Sequence, residues 1–257
     1  MKSHLIIALL STVFLLSCDE QQSLEFEQKT VSIQDLSLCD QSRCPDVIIS
    51  YLQVVEDDSR AAAINGLIQN DLGEMISSAV MPGDSLLTEV EPAVKAFVKS
   101  FQDYYGDFPD DALTYELEVD SEVSFQSESV VSLMTSFYAY TGGAHGYEMI
   151  DYLNLDAENG SVLTLDKLIE DQDEFKAFAE LKFKEQMDMA PEDDINSGRF
   201  YFEDDGFYIP EIFGFTEEGM ELYYATYEIG SYADGPVSIE FSWEEMEPWL
   251  SIPLPAL

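Results

Sequence analysis

Few side chains in this sequence are of a kind that performs chemistry by itself. There are 3 cysteines and 2 histidines against 52 acidic residues. His145 comes first. It lies in Tyr140-Thr141-Gly142-Gly143-Ala144-His145-Gly146, a run rich in residues that adopt positive φ, and histidine is the side chain most used for proton transfer near neutral pH. Working with carboxylates, His145 would serve a hydrolytic or deacetylating reaction. Standing alone in a turn, it would hold the backbone through hydrogen bonds, which is the simpler account. No serine stands in a Gly-x-Ser-x-Gly elbow and no His-Glu-x-x-His occurs. Two carboxylates suffice for glycoside hydrolysis, but 52 acids offer so many pairs that the sequence singles out none. Asp193-Asp194 and Asp204-Asp205-Gly206 carry oxygen ligands of the type calcium takes, without the alternating spacing of a calcium loop. A solvated acidic loop explains them, and no metal or other cofactor is expected.

The cysteines divide into one plus two. Cys39 and Cys44 can close a small disulfide loop in an oxidising compartment, the alternative being two unpaired thiols. Zinc would need more nitrogen and sulfur ligands than His145 and this pair provide. Cys18 follows Leu15-Leu16-Ser17 at the end of an apolar run that starts at Leu5, behind the basic opening Met1-Lys2-Ser3-His4. That layout is a secretory signal. The run is shorter than the roughly 20 residues a spanning helix needs, and it meets Asp19-Glu20. The ending resembles the lipobox of bacterial lipoproteins, which implies acylation of Cys18 and an extracytoplasmic chain held to the cell membrane by lipid alone. The polar stretch after it reads as a tether.

The formal net charge is −41. Such a surface repels phosphate backbones and anionic headgroups and attracts cations and basic proteins, so nucleic-acid binding is excluded. The same charge also serves solubility in salty surroundings. With 46% hydrophobic residues, including 16 Phe and 14 Tyr, the chain has ample material for a folded core.

Several elements must position these residues. Val47 to Leu52 reads as a buried strand, and Asp57-Asp58-Ser59 offers N-caps for a helix whose Ile64, Leu67, Ile68, Leu72, Met75 and Ile76 share a face. Thr88 and Glu91 are spaced as a capping box for a second helix carrying Val90, Val94, Phe97, Phe101 and Tyr104. The period then changes to two. Tyr115, Leu117 and Val119 alternate with acids, and Val131, Leu133, Thr135, Phe137 and Ala139 alternate likewise, which predicts two half-buried antiparallel strands ahead of the His145 loop. A strand over 147–155, a turn at Asn159-Gly160, and helices over 163–169 and after Asp173 follow. Strands are expected around Phe207-Tyr208-Ile209, Gly214-Phe215, Leu222-Tyr223-Tyr224 and Val237 to Phe241. A last helix opens on the Ser242 and Glu245 capping box and holds Met246, Trp249 and Leu250. Tyr223, Tyr224, Tyr227 and Tyr232 could make a sugar-stacking or protein-binding surface, but the simpler expectation is that two or three of them pack in the core and sheet.

Three blocks carry a family resemblance: Tyr140 to Gly146; Asn154-Leu155-Asp156 with Asn159-Gly160 and Leu163 to Leu168; and Phe215 to Met220 with Tyr227 to Pro236. Together they resemble the paired extracytoplasmic domains of RsiV-type and PdaC-type bacterial proteins, from about Cys39 to the C-terminus. In RsiV this pair binds lysozyme; in PdaC it accompanies a separate deacetylase domain. The chain lacks a sigma-binding segment and a His/Asp deacetylase module, so neither of those activities carries over.

The expected fold class is α+β, with antiparallel sheets and packed helices in two small subdomains after a signal peptide and tether. The expected divisions are a signal peptide (1–17), an acidic tether (18–29), a PdaC-like domain (30–155) and an RsiV-like domain (156–257). The functional expectation is a lipid-anchored envelope binding module, with Gly142, Gly143 and His145 as a binding or structural loop and no catalytic residue assigned. Its partner would be a cationic envelope protein such as lysozyme, or a cell-wall glycan. The alternative is a glycan hydrolase or deacetylase-like enzyme using His145 with carboxylates.

Overall fold

The computed structural model describes residues 23–33, 36, 38–39, 44–80, 86–108, 113–203 and 206–253. Strands β1 (Phe26–Val31) and β2 (Asp46–Val54) come first among the described residues and pair antiparallel. The expected tether is therefore shorter than 18–29. Its last residues, from Phe26, are the edge strand of the first sheet, because their backbone groups find partners along β2 from Phe26–Val54 to Val31–Ile49. Cys18 lies outside the described residues.

Helices α1 (Ser59–Ser78) and α2 (Val90–Asp107) come next. Asp58 caps α1, its Oδ1 accepting from Ala61 N at 2.8 Å. The Thr88 and Glu91 capping box does not form. Here α2 starts from Glu89 with no side-chain cap, and Gln69 Oε1 of α1 accepts instead from Val90 N at 3.2 Å. The two helices return the chain to the same end of the sheet, so β3 (Glu116–Gln126) pairs parallel to β2, the one parallel neighbour in a set expected to be antiparallel throughout. Strands β4 (Val130–Tyr140) and β5 (Tyr147–Asp156) complete an antiparallel meander and the order β1-β2-β3-β4-β5. One face of this sheet, with Leu117, Val119, Val131, Leu133 and Phe137, packs on Ile64, Leu72, Phe97 and Phe101 of the helices. Alternation with a period of two thus fixes which side chains meet the helices.

The second half holds α3 (Leu165–Leu168), α4 (Gln172–Gln186), and an antiparallel sheet of β6 (Ile212–Phe215), β7 (Gly219–Tyr224) and β8 (Val237–Ser242), closed by α5 (Trp243–Met246). The Ser242 and Glu245 capping box forms, yet α5 ends after 4 residues; Trp249 lies beyond it, stacked on Phe178 with centroids 5.3 Å apart. Phe207-Tyr208-Ile209 is not a strand, although Phe207 is buried in the second core.

The two halves meet on the other face of the first sheet. Phe125 of β3 and Val130 of β4 belong to the second core, with the Phe125 ring 4.8 Å from Trp243. Ser132 Oγ donates to Asn154 Oδ1 at 2.8 Å and accepts from Phe215 N at 3.1 Å, while Asn154 Nδ2 donates to Phe213 O at 2.7 Å. A Cβ at Gly214 would lie 2.0 Å from the Tyr152 ring, so β6 approaches this closely only because glycine stands there. The contact covers one end of the sheet face and leaves the end nearest the His145 loop open.

Candidate functional site

The loop between β4 and β5 turns on glycine. Gly142 and Gly143 take φ of +109° and +100°, and Tyr140 Oη donates to Gly143 O at 3.1 Å. Gly146 serves a different need. A Cβ there would fall 2.3 Å from the Tyr138 ring, which lies against its Cα.

His145 projects from this loop to the second half of the chain. Its Nδ1 lies 2.9 Å from Gly146 O, and a carbonyl only accepts, so Nδ1 carries the hydrogen in this arrangement. Nε2 is then the acceptor for Tyr227 Oη at 3.2 Å. The imidazole also stacks on Tyr232, centroids 3.9 Å apart and planes 19° apart. Both nitrogens and one ring face are occupied. Tyr227 holds φ at +74°, a conformation costly for a bulky residue, at the position that meets His145. Tyr232 sits in a short 3-10 turn fixed by Ser231 and Asp234, where Ser231 N donates to Asp234 Oδ2 at 3.0 Å; the Ser231 hydrogen bonds hold the Asp234 carboxyl below the usual range.

Around His145 is a cavity of about 130 Å³, whose walls include Tyr147, Glu148, Thr226, Tyr227 and Tyr232. Glu148 is also a wall of a larger cleft, of about 470 Å³, across the open end of the first sheet. The sheet register explains the cleft. Ile48, Glu118, Tyr138 and Glu148 are cross-strand partners on four adjacent strands, and Asp120, Ser136 and Ile150 form the next row. Tyr223 and Pro236 supply the far wall. Ile48 is 56% exposed, an aliphatic side chain left uncovered beside carboxylates. Among the described residues none of Glu118, Asp120 and Glu148 is ion-paired; the ion pairs engage other acids. Burial pushes the Tyr223 hydroxyl up to about 12, with Glu148 and Glu221 adding to the effect against a backbone hydrogen bond at Ile150. Burial, then Glu116 and Glu118, raises Tyr138 in the same direction.

The tyrosine set divides evenly. Tyr223 and Tyr224 are buried, and Tyr227 and Tyr232 are exposed at the His145 cavity. Sequence reasoning did not single out Thr226, Glu118, Asp120 or Glu148. The alternation of acids along β3 was visible, but not which acids border a cleft. Cys39 and Cys44 lie together, both half-buried and unbridged. Burial, followed by the hydrogen bond with Cys44 and its charge, pushes the Cys39 thiol up to about 12. Asp193 and Asp194 cap turns, accepting from Ala190 N and Asn196 N at 2.8 and 2.9 Å; Asp204 and Asp205 lie outside the described residues. Among the described residues no three His, Cys, Asp or Glu side chains converge as a metal would require.

Residues 39–148 match the family described as Deacetylase PdaC, and residues 164–244 match the protein family of unknown function DUF3298. The chain thus pairs a PdaC-like domain with a DUF3298-like domain. A crystal structure of a DUF3298 family member from Bacteroides fragilis superposes with a TM-score of 0.66 at 20% identity, covering 89% of this chain and 94% of that one. A DUF3298 family protein from Pseudomonas aeruginosa gives 0.61 at 18% identity, over 90% and 96%. At such identities the likeness is one of fold. No curated protein matches the sequence. The loop bearing His145 falls in the PdaC-like domain and its partners Tyr227 and Tyr232 in the DUF3298-like domain, so the cavity is built by both.

Proposed function

We propose that the protein is a lipid-anchored, extracytoplasmic binding module that docks a basic envelope protein in the cleft beside His145. The observation that carries this is the cleft itself: an apolar and aromatic floor bordered by Glu118, Asp120 and Glu148, which have no basic partner among the described residues. A net charge of −41 adds a long-range field that speeds encounter with a cation. The anchor rests on the lipobox-like ending at Cys18. The deacetylase in the name of one matching family belongs to that family's description and is not carried over to this chain.

Lysozyme is the first partner to test, given the RsiV-like resemblance. It is titrated into the soluble domain beside an equally basic unrelated protein, at low salt and near 1 M, where the screening length falls to about 3 Å. The reading expects lysozyme binding that persists at high salt, excludes the control and weakens in Glu118→Gln. Equal binding of both proteins at low salt and none at high salt would reduce the acidity to solvation. A glycan ligand would then be sought with soluble peptidoglycan fragments.

A further inference from the structure

We infer that the cavity beside His145 receives one arginine side chain. The inference names the contact that the proposed basic partner would make there, and it rests on that reading only for where the arginine comes from.

Beside His145 the cavity presents aromatic rings and acceptors, with no lysine or arginine among the described residues. Tyr147, Tyr227 and Tyr232 are 44, 56 and 44% exposed and border it together. Tyrosine faces attract a cation, and a planar guanidinium stacks on them as well. Glu148 supplies the counter-charge at the wall shared with the cleft, in the orientation a docked chain would follow from one cavity into the other. Thr226 supplies the most specific observation. It is 8% exposed, and its Oγ1 has no hydrogen-bond partner among the described residues. A buried hydroxyl without a partner is uncommon, and a donor brought by a ligand would satisfy it once the side chain turns about χ1.

Size and donor geometry then select the ligand. A small cavity of about 130 Å³ has room for a guanidinium group at the end of an extended side chain. Lysine brings a compact, strongly hydrated charge. Arginine brings five donors in one plane, so it stacks on a tyrosine and donates to Thr226 and Glu148 at the same time.

The test uses the soluble protein and blocked tripeptides of the form Gly-X-Gly, with arginine, lysine or citrulline as X, followed by calorimetry and by NMR shifts of the His145 and tyrosine rings. Citrulline keeps the shape and loses the charge. The expected order is arginine, lysine, citrulline, with the citrulline peptide about tenfold weaker than the arginine one. Shifts should centre on His145, Tyr227 and Tyr232. Glu148→Gln should weaken arginine binding, and Thr226→Val, near-isosteric and so expected to fold, should narrow the preference for arginine over lysine. Equal binding of arginine and lysine, equal binding of citrulline, shifts centred elsewhere, or no binding at millimolar peptide would each overturn the inference. The lysozyme titration is read separately. Lysozyme binding without peptide binding removes the arginine pocket and leaves the docking reading; peptide binding without lysozyme binding does the reverse.

Discussion

Replacing Asp71 with Asn should make the protein less sensitive to a rise in pH from acid to neutral. Asp71 is on α1 and faces Asp151 of β5; burial first, then Asp151 and Glu74, push its carboxyl from 3.8 up to about 7. Burial raises Asp151 as well. A folded-state value above the unfolded one means that the native protein keeps the proton longer as pH rises. Between roughly pH 4 and 7 the folded state therefore binds more protons, and stability falls as pH increases through that window. At about 1.36 kcal/mol per unit, a displacement of some 3 units is worth on the order of 4 kcal/mol in total, and about 3 kcal/mol of it is lost between pH 5 and pH 8. The side chain keeps some solvent contact, so this is an upper figure. Asparagine mimics the protonated acid and lacks the titration. Urea unfolding at pH 5, 6, 7 and 8 gives the stabilities. Repulsion among the other carboxylates is common to both proteins and cancels in the difference. The wild-type protein should lose up to about 3 kcal/mol more than Asp71→Asn over this range, with m unchanged. Parallel stability curves would refute the reasoning.

Three further outcomes are expected. Cys18 should take up a fatty-acid analogue in metabolic labelling, and Cys18→Ala should lose the label; a label that survives the substitution would end the lipoprotein reading. Cys39 and Cys44, already side by side, should be bridged in protein taken from an oxidising compartment, contributing on the order of 2 kcal/mol for so short a loop. Peptide mapping without reductant that recovers two free thiols would contradict this. His145→Ala should cost about 1 kcal/mol, the usual worth of a hydrogen bond, by releasing Gly146 O and Tyr227. An unchanged melting temperature would show that the imidazole does not hold the loop.

Much of the architecture was legible in local pattern. The change of period at Tyr115 marks where helices give way to the β3–β4–β5 meander, because a side chain's direction in a strand depends only on its parity. Asp58 and the Ser242–Glu245 box were readable as caps for the same local reason. Thr88–Glu91 failed because α2 starts one residue later, from Glu89, where Gln69, distant in sequence, accepts from Val90 N. The end of the tether was misjudged because Phe26–Val31 has little pattern of its own and becomes a strand only when β2 offers it a ladder.

The glycine-rich loop, the acidity and the family resemblance belong to the sequence by itself, since each is a matter of composition or short spacing. The site belongs to the tertiary structure. His145 meets Tyr227 across a separation of 82 residues, and no periodicity reaches so far. The acids along β3 are alike in sequence, and Glu118 and Asp120 become special only because β6 covers one end of the sheet face and leaves theirs open. Parity says which side chains share a face; whether that face is buried, paired or left to a ligand is decided by what packs on it, and that depends on long-range contacts.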